Sequence, residues 1–300
     1  MKIVVFGKSG QVGNAIYSKL KNKYKNFFIH YYSSSEINKK IKKADFLKIS
    51  TIKKIINFEK PDIIINASAY TNVDKAEIEK KRAFTINGQV PKIIANECKK
   101  KNIFFIHFST DYVFDGKTKI KYTEGSLTKP INYYGKTKLY AEKSILKSKC
   151  KYLILRLSGV YGEGKKNNFI KKIIYNLKNN KIIKVVEDQH GNLTPCELVI
   201  KCLLNVINRL SKSDLNSAIY HLCSKKSSSK LDVAKYILKN HKFFKNKSNF
   251  AILPIKTNSL NSLALRPKNS SLNTSKVERD LRLAIKPWDF YLKKYLKKIQ

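Results

Sequence analysis

The chain has 300 residues, of which 42% are hydrophobic, and a formal net charge of +41. That supplies a core for one large α/β unit or two closely joined domains, and no stretch reaches the roughly 20 consecutive apolar residues that cross a bilayer. Five cysteines (Cys98, Cys150, Cys196, Cys202, Cys223) are scattered, odd in number and never paired as CxxC. They argue against a disulfide framework or a zinc site and for a reducing compartment, so a cytoplasmic protein without metal or membrane is expected. The chain runs straight into a strand-like segment, so no signal peptide is expected either. Only six of the 62 basic residues are arginine, and the lysines are spread over many helix faces, with abundant isoleucine and asparagine. A dedicated nucleic-acid surface gathers arginines and aromatics, so compositional drift is the preferred reading and no specific nucleic-acid partner is expected.

In chain order, Lys2–Phe6 reads as a buried strand because it is apolar, β-branched and stopped by glycine. Gly7, Gly10 and Gly13 follow at three-residue spacing, and Gln11–Leu20 reads as a helix. Such a loop lets the backbone and the helix N-terminus approach a phosphate, so a dinucleotide pyrophosphate site is expected here. Further strands are predicted at Phe27–Tyr31, Asp62–Asn66, Ile103–Phe108 and Tyr152–Leu157. Helices are predicted at Thr51–Phe58, as one long run from Lys75 to Lys100, and at Ile131–Lys147. This alternation means a doubly wound parallel sheet whose ligand crevice lies at the carboxyl ends of the strands. Ala67–Ala69, Ser109–Asp111 and Ser158–Tyr161 all follow such strands directly.

Beyond residue 160 the alternation loosens. Asn168–Leu177, Pro195–Leu210, Leu231–Asn240, Ser275–Leu283 and Trp288–Gln300 read as helices, Ile182–Val186 and Ala218–Cys223 as strands, and Leu260–Ser275 as a polar loop. The expected fold class is therefore α/β, with residues 1–160 binding the dinucleotide and carrying the chemistry. Residues 161–300 are expected to form mainly a smaller substrate-binding lobe, with some segments returning to the main domain.

Tyr134 and Lys138 are four residues apart on one predicted helix face, so a phenol and an ammonium can share a small volume. The lysine charge is expected to favour phenolate, and Thr110 or Ser109 at a strand end to hold a substrate oxygen beside the phenol. In so lysine-rich a chain, YxxxK alone also fits a solvated helix face. Asp111 reads more readily as a turn cap than as a catalytic group, Asp74 and Lys75 as a first-turn charge pair, and Tyr161 and Phe169 as core. Lys8 stays open between a phosphate contact and solvent.

The glycine loop, the Ser-Thr-Asp run and YxxxK, in this order, resemble the extended short-chain dehydrogenase/reductase family, which has a Rossmann-like fold, and within it the dTDP-4-dehydrorhamnose reductases. The resemblance rests on FGKSGQVG (6–13), PDIIINASAYTNVDKAE (61–77), STDYVFDG (109–116), YGKTK (134–138), VYGEGKKNNFI (160–170), EDQHGN (187–192) and RPKNSSLNTSK (266–276). It implies reduction of the C4 ketone of a nucleotide sugar, with Thr110, Tyr134 and Lys138 as catalytic residues. It assigns Gly7, Gly10, Gln11, Val12 and Gly13 to the dinucleotide loop, Asp45 and Phe46 to the adenine, and Ala67, Ser68 and Ala69 to the cofactor's course. Tyr70, Thr110, Arg266 and Asn269 fall on the substrate side, and Asn87 matches an asparagine that orders the catalytic helix. Arg266 also stands out on its own, because arginine is rare here and grips phosphate bidentately.

The segment Tyr31–Ser35 lacks a carboxylate for an unmodified ribose, so NADPH is expected, with NADH as the alternative. Three positions depart from the family pattern. Gly159 stands where a tryptophan commonly faces the sugar, Leu193 replaces the proline of a GxPT stretch, and Ala15 replaces a glutamate of a metal-linked dimer. Any oligomer is therefore expected not to be metal-linked. The alternative functions are another nucleotide-sugar reductase or epimerase, or a non-catalytic regulatory subunit resembling that of methionine adenosyltransferase.

Overall fold

The computed structural model describes residues 1–20, 27–35, 38, 40–164, 168–212, 214–245 and 249–299. Residues 165–167 of the fifth motif and the predicted helix end at Gln300 lie outside the described residues. Strand β1 (Lys2–Phe6) leads into helix α1 (Gln11–Leu20), then β2 (Phe28–Ser33), β3 (Ile41–Lys43), α2 (Ile49–Glu59) and β4 (Ile63–Asn66). Next come α3 (Val73–Ile78), α4 (Lys80–Phe84), a π turn at Thr85–Gln89, α5 (Val90–Lys101), β5 (Phe104–Thr110), α6 (Tyr133–Ser148) and β6 (Tyr152–Leu157). The remainder comprises β7 (Val160–Tyr161), α7 (Phe169–Asn180), β8 (Ile182–Val186), β9 (His190–Gly191), β10 (Thr194–Pro195) and α8 (Cys196–Leu210). These are followed by β11 (Ala218–His221), β12 (Ser228–Ser229), α9 (Lys230–Asn240), β13 (Ala251–Ile255), α10 (Ser275–Asp280) and α11 (Trp288–Lys298).

Seven strands form one sheet in the order β11-β6-β5-β4-β1-β2-β3, and every pairing in it is parallel. Alternation along β1 shows why: Ile3 and Val5 enter one core with α1 and α8, whereas Val4 and Phe6 enter another with α2 and α5. Both faces are dry, as an all-parallel sheet covered by helices requires. The strand order reverses between β1 and β4, which opens a crevice above their carboxyl ends.

The segment Lys75–Lys100, predicted as one helix, is broken into α3, α4, the π turn and α5. Glu79 leaves helical geometry at φ −83, ψ 47, and the π turn then puts one extra residue into the helical path. The strand predicted at Ala218–Cys223 belongs to the main sheet, pairing β11 with β6 from Ala218↔Leu153 to His221↔Arg156. Helix α8 likewise packs into the core beside α1. A separate core joins α7, β8, α9 and α11 around Ile170, Leu177, Ile237 and Leu292. All five cysteines are free and buried. Among the described residues, no helix is long and apolar enough to cross a membrane and no cluster of metal-ligating side chains occurs.

Candidate active site

The glycine loop is held by backbone packing. Gly7 has φ +86, and a Cβ there would meet the Ser68 amide nitrogen at 2.3 Å; one on Gly13 would meet the Gly7 carbonyl oxygen at 2.1 Å. Only glycine allows the β1–α1 turn to lie this close to β4 and to its own helix. Gly10 meets nothing nearer than 3.4 Å and fronts the crevice. The Gln11 side chain faces the smaller lobe, donating to the Val160 carbonyl and accepting from Asn168 Nδ2. Lys8 is buried with its ammonium 4.7 Å over the Tyr17 ring, so the solvent-facing reading does not hold.

The crevice is a cavity of about 600 Å³. Gly7, Gly10, Gln11, Val12, Phe46, Ala67, Ser68, Ala69, Thr110, Tyr134 and Lys138 all line it, joined by Ser34, Ser35, Asp111, Tyr112, Gly159 and others. Sequence segments more than a hundred residues apart thus meet in one volume. Gly13 stands behind the loop, and Asp45 turns its carboxylate to the Leu47 amide beside the cavity. Tyr70 does not reach it: the ring lies 5.8 Å from the Arg82 guanidinium, while its backbone is clasped by Asn87.

Helix α6 delivers Tyr134 and Lys138. Asn132 caps it by accepting from the Gly135 amide at 2.8 Å. A Cβ on Gly135 would strike the Tyr112 carbonyl at 2.2 Å, so glycine after the tyrosine lets the helix start press against the Ser109–Tyr112 turn. Lys138 is buried and donates to the Phe108 carbonyl at 2.5 Å. Burial pulls its amine down to about 8, against the neighbouring Glu142 charge. For Tyr134 the expectation is corrected. Burial pushes the phenol up to about 12, hydrogen bonding with Thr110 pulls it back, and Asp111 raises it further. No lowering by the lysine charge is seen.

Thr110 is the cap of the 111–113 turn, accepting from the Tyr112 amide and donating to Asp111 at 3.1 Å. Asp111 is therefore not the cap. Its buried carboxylate accepts from Ser158 at 2.7 Å and Ser270 at 2.6 Å, tying β5, the β6 end and the 260–275 loop together. Burial raises its pKa against those three hydroxyl donors. Arg266 and Asn269 lie in an adjoining groove of about 1280 Å³. The Arg266 fork is bound to Asp74, at 2.6 and 3.1 Å, and Asp74 is not paired with Lys75 as expected. Asn269 donates to the Thr118 and Ile120 carbonyls.

Two departures from the family pattern touch each other. Gly159 has φ +53, and a Cβ there would meet the Asn192 carbonyl at 2.7 Å and Leu193 Cδ2 at 3.0 Å. Leu193 thus closes over the place where a side chain on residue 159 would leave the backbone. A second cavity of about 250 Å³ starts here and runs to Gln189, Lys230 and Ser270. Lys230, Ser158 and Ser270, which line this cavity, were not singled out in the sequence; serines on polar loops carry no periodic signal, and a lysine is hard to single out among so many. His107, which lies against Lys138 and Asn66, was not singled out either, although a lone histidine inside the run Ile103–Phe108 is a visible irregularity.

A parallel sheet with a glycine turn after β1, and a Thr–Tyr–Lys set facing the same crevice, defines a dinucleotide-dependent oxidoreductase of the short-chain type. The chain belongs to the family described as RmlD substrate binding domain, whose model matches residues 1–300. It is 33% identical to a dTDP-4-dehydrorhamnose reductase of Escherichia coli (strain K12) over 308 residues, covering 100% of this chain and 98% of that protein. Among solved structures, a dTDP-4-dehydrorhamnose reductase of Clostridium acetobutylicum superposes with a TM-score of 0.87 at 30% identity, each chain covered completely. One of Bacillus anthracis in complex with NADP gives 0.85 at 28% identity, covering 99% of both chains.

Proposed function

We propose that this chain reduces the C4 ketone of dTDP-4-dehydro-L-rhamnose to dTDP-L-rhamnose with NADPH, NADH being the alternative reductant. The observation that carries this reading is the convergence of Thr110, Tyr134 and Lys138 on the cavity that also receives the glycine loop. The residues suit the cofactor: Gly10 leaves backbone open to a phosphate at the α1 N-terminus, and Ser34 and Ser35 offer hydroxyls where a carboxylate would repel a 2′-phosphate. When bound, NADPH supplies hydride chemistry.

The chain's own part is to orient and to move a proton. Thr110 holds the carbonyl oxygen of the sugar, so that charge develops where a donor already points. Tyr134 gives its O–H proton to that oxygen as it becomes an alkoxide. A phenol held at about 12 stays protonated through the neutral range, which suits a proton donor in the reductive direction. Lys138 would hold the nicotinamide ribose and, as the ammonium, would return a proton to the phenolate. Residues 1–160 hold the cofactor and the reacting groups, while 161–300 mainly close over the nucleotide sugar, with Arg266, Asn269 and Tyr70 on the substrate side. The bidentate grip of Asp74 on Arg266 makes that arginine a fastening of the substrate loop as well as a candidate contact.

NADPH oxidation with dTDP-4-dehydro-L-rhamnose tests the reading directly. Tyr134→Phe is expected to lower kcat by about a thousandfold while leaving NADPH affinity intact; unchanged turnover would remove Tyr134 from the mechanism. Gly159, overlaid by Leu193, favours one second reading, a reductase or epimerase for a different nucleotide sugar. Faster NADPH or NADH oxidation with another member of a nucleotide-sugar panel would establish it.

A further inference from the structure

Behind Lys138, on the side away from the cavity, lies His107, fully buried on β5. Its Nε2 is 3.2 Å from Lys138 Nζ and its Nδ1 is 3.3 Å from Asn66 Nδ2. The direction of these contacts is fixed from the far end. The Ser68 backbone N–H, which can only donate, meets Asn66 Oδ1 at 3.1 Å, and the Ser68 hydroxyl meets the same oxygen at 2.5 Å. Asn66 therefore turns its NH₂ to His107, and an NH₂ group has only hydrogens to give. Nδ1 must accept, and a neutral imidazole whose Nδ1 accepts carries its proton on Nε2. Burial, and then the Lys138 charge, hold His107 well below the ordinary histidine range, so it is neutral.

We propose that His107 is a positioning residue which Asn66 locks as the Nε2–H tautomer, so that Lys138 faces a donor and works as a proton carrier rather than as a fixed cation. An ammonium has no lone pair for that N–H, whereas an amine accepts it and still donates to the Phe108 carbonyl. The other groups around the lysine are accounted for. Glu142, one turn along α6, favours the ammonium, but its carboxylate is engaged by the Arg156 fork from β6 at 2.7 to 3.3 Å and by Ser109 at 2.5 Å. Tyr134 on α6 is neutral, and Asp111 at the end of β5 is held by three hydroxyls. A lysine poised in this way takes a proton from solvent, gives it as the ammonium to the Tyr134 phenolate and returns to the amine in each turnover, which rests on the reductase reading above.

The tautomer is measurable without cofactor or sugar. In ¹⁵N-histidine-labelled protein, the His107 signals, assigned as those lost in His107→Gln, are expected to show a pyridine-like Nδ1 and a pyrrole-like Nε2. The reverse pattern, or an imidazolium, would overturn the proposal. Asn66→Asp replaces the NH₂ with an acceptor, and should swap the tautomer and move the alkaline limb of NADPH binding upward by about one pH unit, a tenfold change in proton affinity. His107→Leu should move the limb the same way, whereas His107→Gln, whose amide still offers an N–H to the lysine, should leave it in place. Limbs identical in all variants would reduce His107 to a packing residue. Because NADPH binding is read by fluorescence, failure of the sugar assay leaves this test standing.

Discussion

Thr110 does two jobs within one turn. Its oxygen caps the Tyr112 amide and its hydroxyl reaches Asp111, which is also gripped by Ser158 and Ser270. A substrate carbonyl would take the hydroxyl over from Asp111, leaving that carboxylate with its other two donors. Thr110→Val should therefore lower kcat/KM by about a hundredfold, whereas Thr110→Ser should retain most of it. Steady-state NADPH oxidation checks the pair, and equal losses in both would make the methyl group, not the hydroxyl, the important part. At this scale the sequence pointed to Thr110, Tyr134 and Lys138, which share one cavity, but misjudged the electrostatics of the tyrosine. YxxxK spacing predicts that a charge and a phenol are neighbours, but the dielectric around them depends on which remote segments cover the helix start. Here Tyr112, packed edge-on 6.1 Å from the Tyr134 ring, belongs to such a segment, and burial overrides the lysine.

The elements that carry these residues were largely legible, because continuous apolar runs such as Ile63–Asn66 and Tyr152–Leu157 have few alternatives to a buried strand. The short β3 and the edge strand β13 were not, since lysines and a proline obscure any alternation there. Nor was the π turn, whose cause is tertiary: it aims Asn87 so that its side chain clasps both the N–H and the C=O of Tyr70 and donates to Thr137 on α6 at 3.1 Å. Asn87→Ala leaves these partly buried groups unpaired, so about 2 kcal/mol of stability should be lost in chemical denaturation. The start of α6 should loosen with it, and turnover should fall without a change in the tyrosine itself. A second fastening joins the sheet edge to α2. Glu59 receives Lys2 from β1, His30 and Tyr32 from β2, and Lys42 beyond β3's first residue. Burial works against this carboxylate, but the hydrogen bonds from Lys42, Tyr32, Lys2 and His30 outweigh it and hold its pKa near 2, below the ordinary 4.5. A depressed folded pKa contributes stability that is complete above about 4.5 and is lost as pH falls towards 2. Glu59→Gln should therefore lower Tm at neutral pH and flatten the dependence of Tm on pH across that acid window. An unaltered acid slope would show that other carboxylates govern it.

For the whole molecule, the decisive quantity is the imbalance between 62 basic and 21 acidic residues. The structure makes it sharper, because several carboxylates are spent internally. Glu59, Asp111 and Glu142 are buried, and Asp74 is bound to Arg266. Among the described residues, all lysines but Lys8 and Lys138 are exposed or half-buried. Such a surface attracts polyanions by counterion release, without any groove that reads bases. Binding to heparin or to random duplex DNA is accordingly expected at low salt, with no sequence preference. If six or more phosphates are neutralised, affinity should drop about a thousandfold or more between about 50 and about 200 mM salt. The same field draws in an anionic nucleotide sugar, so the apparent KM should rise with salt while kcat stays constant. Fluorescence anisotropy with two unrelated duplexes, alongside the steady-state assay across the same salt series, separates the possibilities. A complex that stays tight in high salt, or that prefers one duplex, would mean that the lysines form a specific site and are not the residue of compositional drift.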